Sequence, residues 1–189
     1  MTPDCGDHAV VTALSGTHGV MKMTIVIRDE QPADTEAIFD LTRLAFLNAA
    51  HTNHTEQFIV NALRQSGHLA LSLVAEEGLP IGHVAFSPVA ISNGEVGWYG
   101  VGPLSVRPEH QRKGVGTRLM QQGLARLINM KAQGCVLVGD PVYYARFGFS
   151  RCADLTLPGV PPEYFLGKSF GNAMPKGEVT FSPAFGATR

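Results

Sequence analysis

The sequence predicts an α/β (α+β) domain in which a mixed, mostly antiparallel sheet of six to seven strands is flanked by helices. Three observations carry that prediction. Short β-branched or apolar runs recur at 24–28, 69–76, 81–91, 96–106, 135–138 and 177–181. Apolar residues at three- and four-residue spacing separate some of them, which is the signature of helices with one buried face. One pair of runs is joined by Ser92-Asn93-Gly94, and Asn-Gly supplies the positive φ angles of a tight hairpin.

Taken in order, residues 1–22 are rich in Gly, Thr, Ala and His and lack a charged start followed by an apolar core. They are expected to be a flexible extension without a secretory signal, leaving 23–189 as a single domain. Thr24 to Arg28 is the first strand. Pro32 opens a helix with Asp34 and Glu36 in its first turn, where negative charge suits the dipole, and Ala37, Ile38, Leu41, Leu44 and Ala45 form its apolar face. A second helix runs from Thr55 to Gln65, with Phe58, Ile59, Ala62 and Leu63 inward and Gly67 as a stop. His51, Asn53 and His54 fall between the two. Their His-x-x-His spacing invites a metal reading without a full ligand set, so we read them as polar loop residues near an acceptor pocket and expect no metal.

Three sequential antiparallel strands follow, at 69–76, 81–91 and 96–106. The helix after them, about Lys113 to Ala132, has Gly116, Leu119, Met120, Gly123, Leu124, Leu127 and Ile128 on one face and Gly134 as its end. Gly123 costs about 1 kcal/mol relative to Ala in a helix, which close packing on the sheet would offset. Cys135–Val138 is a short buried strand reached by a crossover, and is therefore parallel to its predecessor. A loop marked by Pro158, Gly159, Pro161 and Pro162 leads to a closing strand at Gly177–Phe181, with Phe181 and Phe185 packing there.

At 189 residues the chain is long enough to bury a sizeable core. A hydrophobic content of 44% and charged content of 16% describe a globular protein, and no run of about 18 apolar residues offers a membrane span. The formal net charge of −1 argues against a basic nucleic-acid-binding surface. Cys5, Cys135 and Cys152 suit neither a disulfide scaffold nor a zinc site, which points to a reducing, cytoplasmic compartment. Cys135 reads as a small buried hydrophobe, the alternative being a nucleophilic thiol that nothing near it in sequence supports.

The chemistry is concentrated in Val101 to Leu119: an apolar strand, a polar turn holding Gly114 and Gly116, and the start of a helix. Unpaired N–H groups and the dipole at a helix N-terminus attract anions. The two glycines let a ligand approach the backbone, and Arg112 and Lys113 add positive charge. The segment is thus a seat for a phosphate or pyrophosphate. It is not a P-loop, and it fails the Gly-x-Gly-x-x-Gly dinucleotide fingerprint because Leu119 holds the third position. The preceding strand carries Gly97, Gly100, Gly102 and Pro103, so it pairs poorly along its second half and should splay from 135–138, opening a cleft between the fourth and fifth strands.

Gln111-x-x-Gly114-x-Gly116, following a strand that ends Leu-Ser-Val-x-Pro, closely resembles the acyl-CoA pyrophosphate loop of the GNAT N-acetyltransferase superfamily. Gly139-Asp140-Pro141-Val142-Tyr143-Tyr144-Ala145-Arg146-Phe147-Gly148-Phe149 resembles the superfamily's Tyr-x-x-x-Gly-Phe ending, in the form of a poorly characterised bacterial branch. The resemblance spans roughly Ile25 to Phe185. It implies acetyl-CoA as co-substrate, with its acyl and pantetheine arm along the main chain of Leu104-Ser105-Val106 in the cleft. Gln111, Arg112, Lys113, Gly114, Val115, Gly116 and Thr117 would wrap the pyrophosphate. Tyr144, with Tyr143 as the alternative, would protonate or hydrogen-bond the departing thiolate.

It also implies direct attack of an amine on the thioester in a ternary complex. Some members keep a glutamate on the fourth strand as base, but Trp98 to Val106 holds no carboxylate. His83, Glu95 and a water relayed by Ser105 are the candidates, His83 having a suitable unperturbed pKa. The acceptor is a small-molecule or peptide amine that the sequence does not specify, with a protein lysine also open, and the protein is a monomer or homodimer. The rival reading is a catalytically weak acyl-CoA-binding sensor or interaction module of the same fold.

Overall fold

The structure is a computed structural model that describes residues 24–49, 52–171 and 173–189. The expected extension at 1–22, Cys5 and His51 lie outside the described residues. In chain order the elements are β1 (Val26–Asp29), α1 (Thr35–Phe46), α2 (Glu56–Gln65), β2 (Leu71–Glu76), β3 (Pro80–Pro88), β4 (Ala90–Ile91), β5 (Trp98–Val106), α3 (Val115–Asn129), β6 (Gly134–Val138), α4 (Pro141–Ala145), β7 (Ser150–Arg151), β8 (Leu155–Thr156), β9 (Phe165–Ser169) and β10 (Gly177–Thr180). Single 3-10 turns occupy Pro32–Asp34, Pro108–His110 and Pro183–Gly186.

The main sheet is seven-stranded, in the order β1-β2-β3-β5-β6-β9-β7, and only the β5–β6 pairing is parallel. This is the mixed, mostly antiparallel sheet that the pattern predicts. Its far side differs in detail. The run 81–91 does not stay one strand: after Val89, whose N–H still bonds the Trp98 carbonyl at 3.0 Å, Ala90–Ile91 leaves to pair with β10. β4, β10 and β8 form a separate three-stranded sheet, so the closing strand at 177–181 is not part of the main one. The strand that pairs with β6 on its other side is β9, Phe-Leu-Gly-Lys-Ser, which is too short and follows too irregular a loop to show alternation.

α3 packs on one face of the sheet through Val115, Leu119, Met120, Leu124 and Leu127. A Cβ on Gly123 would stand 2.3 Å from the Phe86 ring, so the glycine permits the helix to lie directly on a fully buried aromatic. Ile128, expected on this face, is 50% exposed because it sits a further 100° round the helix from Leu127, beyond the apolar stripe. Nor does Gly134 end the helix. Lys131 turns the chain with φ 61°, and Gly134 already belongs to β6.

α1 and α2 cover the opposite face, burying Ile38 and Val60 on Val74, and Ile59 and Leu63 on Ala85. Phe58 and Ala62 are only half-buried, and Val60 and Gln57 take the inward positions instead. Charged groups pin these helices to the sheet. Arg28 of β1 holds Asp34 bidentately, at 2.6 and 2.9 Å, and also Glu76 of β2 at 2.7 Å. Asp34 is thus a buried ion-pair partner rather than an exposed dipole charge. Glu30 accepts from Arg64 Nε of α2 at 2.8 Å and from the Ser72 hydroxyl, and Ser72 Oγ lies 2.7 Å from His83 Nε2. With the Ser72 proton directed at Glu30, Nε2 is the protonated imidazole nitrogen.

Burial by itself would raise the Glu30 carboxyl, but His83, Ser72 and Arg64 overcome it and hold it at about 2. Burial pushes His83 below its ordinary value against the pull of Glu30. Both shifts have one consequence. Below pH 6.5 for the histidine and 4.5 for the glutamate, the unfolded chain binds protons that the folded chain refuses, so stability falls as the solution is acidified. Urea unfolding at pH 7, 5.5 and 3.5 should give a steadily falling midpoint, and Glu30→Gln should flatten the decline below pH 4.5; an unaltered decline would contradict this assignment. Gly123→Ala should cost about 1–2 kcal/mol in the same assay despite alanine's better helix propensity, since overpacking typically costs 1–3 kcal/mol. A neutral or stabilising result would show that Phe86 can yield.

Candidate active site

The site begins with a fault in a strand. Opposite β3, Val84 pairs with Leu104 and Phe86 with Val101, so Gly102 and Pro103 of β5 together face the single residue Ala85. Such a bulge bends and twists its strand. Gly102 accommodates it at φ 137°, and Pro103 brings no N–H to a ladder. β5 and β6 accordingly pair only from Trp98 to Gly100 and then part. The sequence-predicted cleft between these strands is present, and two cavities flank it.

The first, about 660 Å³, is walled by Leu104 and Val106 of β5, by Gln111, Arg112 and Gly114 of the turn, and by Gly116 and Thr117 of α3. Tyr143, Arg146, Ala45 and Phe46 complete it. Gln111 donates to the Val106 carbonyl at 3.0 Å, which ties the turn back to the strand. Arg112 and Gly114 both take positive φ (59° and 85°), a geometry associated with concave arrays of N–H groups that bind anions. Gly114 caps α3, whose first turn carries no acidic residue. Arg112 and Arg146 are the charged groups among the described residues of this wall, so the cavity is cationic.

α4 supplies the tyrosines. Pro141 starts it and Asp140 caps it, accepting from Val142 N at 2.9 Å. Phe147 and Phe149 anchor its far end in the core. Arg146 stacks 4.7 Å above the Tyr143 ring. The Tyr143 hydroxyl lies over Gly116, where a Cβ would come within 3.0 Å of it. Tyr144 turns the other way, into the second cavity, with its ring against Gly139. Burial raises the Tyr144 hydroxyl well above its ordinary range, so it stays protonated at neutral pH.

The second cavity, about 600 Å³, lies between α1, α2, the bulge and the loop before β9. Leu104 and Phe46 belong to the walls of both cavities, which therefore meet at that point.

Of the residues singled out in the sequence, Leu104, Val106, Gln111, Arg112, Gly114, Gly116 and Thr117 come together on one cavity and Tyr144 on its neighbour. Lys113 is exposed beside the turn, and Val115 is buried in the core. Ser105 and His83 pair across β5 and β3, are fully buried, and line neither cavity. Strand alternation is the reason: Leu104 and Val106 face the α3 side, which turns Ser105 to the other. Glu95 is engaged in its own turn, accepting from Asn93 Nδ2 at 3.0 Å. Cys135 lines neither cavity, and burial pushes its thiol far up, which removes it as a nucleophile. Sequence reasoning missed Phe46, Arg146 and Glu56. Arg146 stood inside a quoted motif, whereas Glu56 lay within the second helix and was not singled out.

Comparison with known proteins places this geometry. The family model described as an acetyltransferase (GNAT) domain matches residues 68–151. The Escherichia coli K12 protein called uncharacterized N-acetyltransferase YhbS is 38% identical over 131 residues, which is 68% of this chain and 75% of that one. A crystal structure of a GNAT family acetyltransferase from Brucella melitensis in complex with acetyl-CoA aligns with a TM-score of 0.77 and 46% identity, covering 86% of this chain and 99% of that one. The structure of E. coli YhbS with CoA aligns equally well, at 0.77 and 33% identity, over 87% of this chain and 93% of that one. The chain belongs to the GNAT family of acyl-CoA-dependent N-acetyltransferases.

Proposed function

We propose that this protein transfers an acetyl group from acetyl-CoA to a primary amine by direct attack within a ternary complex. The observation that carries the reading is the meeting of two cavities at Leu104 and Phe46, one cationic and floored by a helix N-terminus, the other holding a half-buried tyrosine. That two similar structures were determined in complex with acetyl-CoA and with CoA supports acetyl-CoA as the co-substrate.

In this reading the turn from Gln111 to Thr117 receives the pyrophosphate on main-chain N–H groups, Lys113 and Val115 contributing through their backbone, and Arg112 and Arg146 balance its charge. The edge of β5 released by the bulge, Leu104 to Val106, binds the pantetheine and acyl arm as an added strand would. The amine enters from the second cavity. Its nitrogen bonds to the thioester carbon, the carbon–sulfur bond breaks, and the sulfur leaves as thiolate. Tyr144 gives the thiolate its proton and recovers one from the nitrogen. Holding both reactants at one point supplies much of the rate. His83, shut in beneath the sheet with Glu30 and Ser72, acts by positioning α2 and β2 and does not touch the amine.

Thermal unfolding with acetyl-CoA, CoA, ATP and NAD tests the cofactor. A ligand at a hundred times its Kd stabilises by about 2.7 kcal/mol, and only acetyl-CoA and CoA should do so. Tyr144→Phe should retain that shift while lowering kcat about 10²-fold in a thiol-release assay. Parallel loss of binding and turnover would contradict the acid role, and binding without turnover of any amine by the unaltered protein would favour the sensor reading.

A further inference from the structure

The wall of the second cavity is chemically lopsided. Among the described residues that form it there is no lysine, arginine or histidine, and most of its surface is apolar: Ile59, Val101, Pro103, Leu157, Phe181 and Phe185. The two phenylalanines stack edge to face, with centroids 4.9 Å apart. Two carboxylates interrupt this surface, Glu56 and Asp140. Asp140 lies at an exposed position and is occupied in capping α4.

Glu56 is different. Its Oε1 accepts from the Thr52 hydroxyl, and Thr52 Oγ1 in turn accepts from His54 N at 2.9 Å. His54 Nδ1 lies 3.1 Å from the Phe46 carbonyl at the end of α1, so this short loop is tied down at both ends and orients the carboxylate. The other oxygen, Oε2, is buried and has no hydrogen-bond partner among the described residues. A carboxylate oxygen withdrawn from water without a donor is costly, and a cationic donor is the group that would relieve the cost. It lines the same cavity as Tyr144 and as Leu104, where the two cavities meet.

We infer that Glu56 receives the ammonium of the acceptor and takes its proton, and that the acceptor is a primary amine carried on an apolar, arylalkyl-like body. This inference rests on the acetyltransferase reading of the site and names the substrate class and base for it. The cavity's size suits a small molecule rather than an extended chain. A polyamine such as spermidine carries three charges against two carboxylates, Glu56 and Asp140, and would leave at least one against the apolar wall. A free amino acid would bring a carboxylate to a wall that has no cation for it and already bears two negative charges. The proton balance closes: one proton passes from the ammonium to Glu56 before attack and leaves to water, and the second follows the nitrogen–carbon bond to Tyr144 as above.

The test uses the full chain and Glu56→Gln, which keeps the side chain's shape. Thiol release is measured with 2-phenylethylamine, phenylalanine and spermidine, alongside the acetyl-CoA thermal shift. We expect 2-phenylethylamine to exceed the other two at least tenfold in kcat/KM, and Glu56→Gln to lower its value about 100-fold while leaving the thermal shift unchanged. Inhibition by 2-phenylethanol, which fits the apolar wall but carries no charge, should be the same in both proteins. An intact thermal shift with no turnover of 2-phenylethylamine, with phenylalanine or spermidine preferred, or with Glu56→Gln fully active would overturn this inference alone. Absence of any acetyl-CoA shift in the unaltered protein would overturn the acetyltransferase reading and this inference with it.

Discussion

Between Val101 and Leu104, β5 spends two residues, Gly102 and Pro103, opposite the one residue Ala85 of β3. On one side the ladder absorbs the extra residue and continues to Gly82–Val106. On the other the strand bends away from β6, which has its second partner in β9 and stays with it from Gly134 through Val138. A sheet that was continuous at Trp98–Gly100 is therefore open a few residues later. Main chain that would have been consumed in a ladder with β6 lines the cleft beside the Gln111–Gly116 turn instead. The positions of both cavities depend on that departure, since Leu104, which they share along with Phe46, is the first residue after the bulge.

An opening of this kind needs firm surroundings. α3 is seated by the contact of Gly123 with Phe86, which sets the height of its N-terminal turn above the cleft. α1 and α2 are held by the Arg28–Asp34–Glu76 and Glu30–Arg64–Ser72–His83 groups at the opposite side of the molecule from α4. They bring the end of α1, Phe46, and the start of α2, Glu56, to the second cavity. The buried histidine is used for architecture, whereas a carboxylate at a helix start faces the cavity, the reverse of what residue chemistry alone would suggest.

Much of this was legible in the sequence because its signals are local. The spacing of Gly114 and Gly116, and Gly102-Pro103 inside an apolar run, each act on their own neighbourhood, and the phosphate-type turn and the splayed cleft followed from them. Asn93-Gly94 does mark a turn, but only Gly94 is left-handed there, and the turn follows β4, which pairs with β10, rather than closing a tight hairpin onto β5. What was not legible depends on distant partners. β9 is a strand because β6 offers it an edge, not because its five residues alternate. Ala90–Ile91 changes sheet because β10 arrives from the end of the chain. Whether His83 or Glu56 faces the second cavity is decided by the phase of β3 and by a tie from His54 to Phe46, and neither is visible in residue type.

The account stands on the claim that acetyl-CoA occupies the edge released by the bulge. Amide hydrogen exchange with and without saturating acetyl-CoA tests it most directly. We predict slowed exchange across 104–117 and at the tyrosine turn 143–146, with the Glu30 and Arg28 surroundings unchanged. Protection confined to other segments, with 104–117 exchanging as in the free protein, would contradict it.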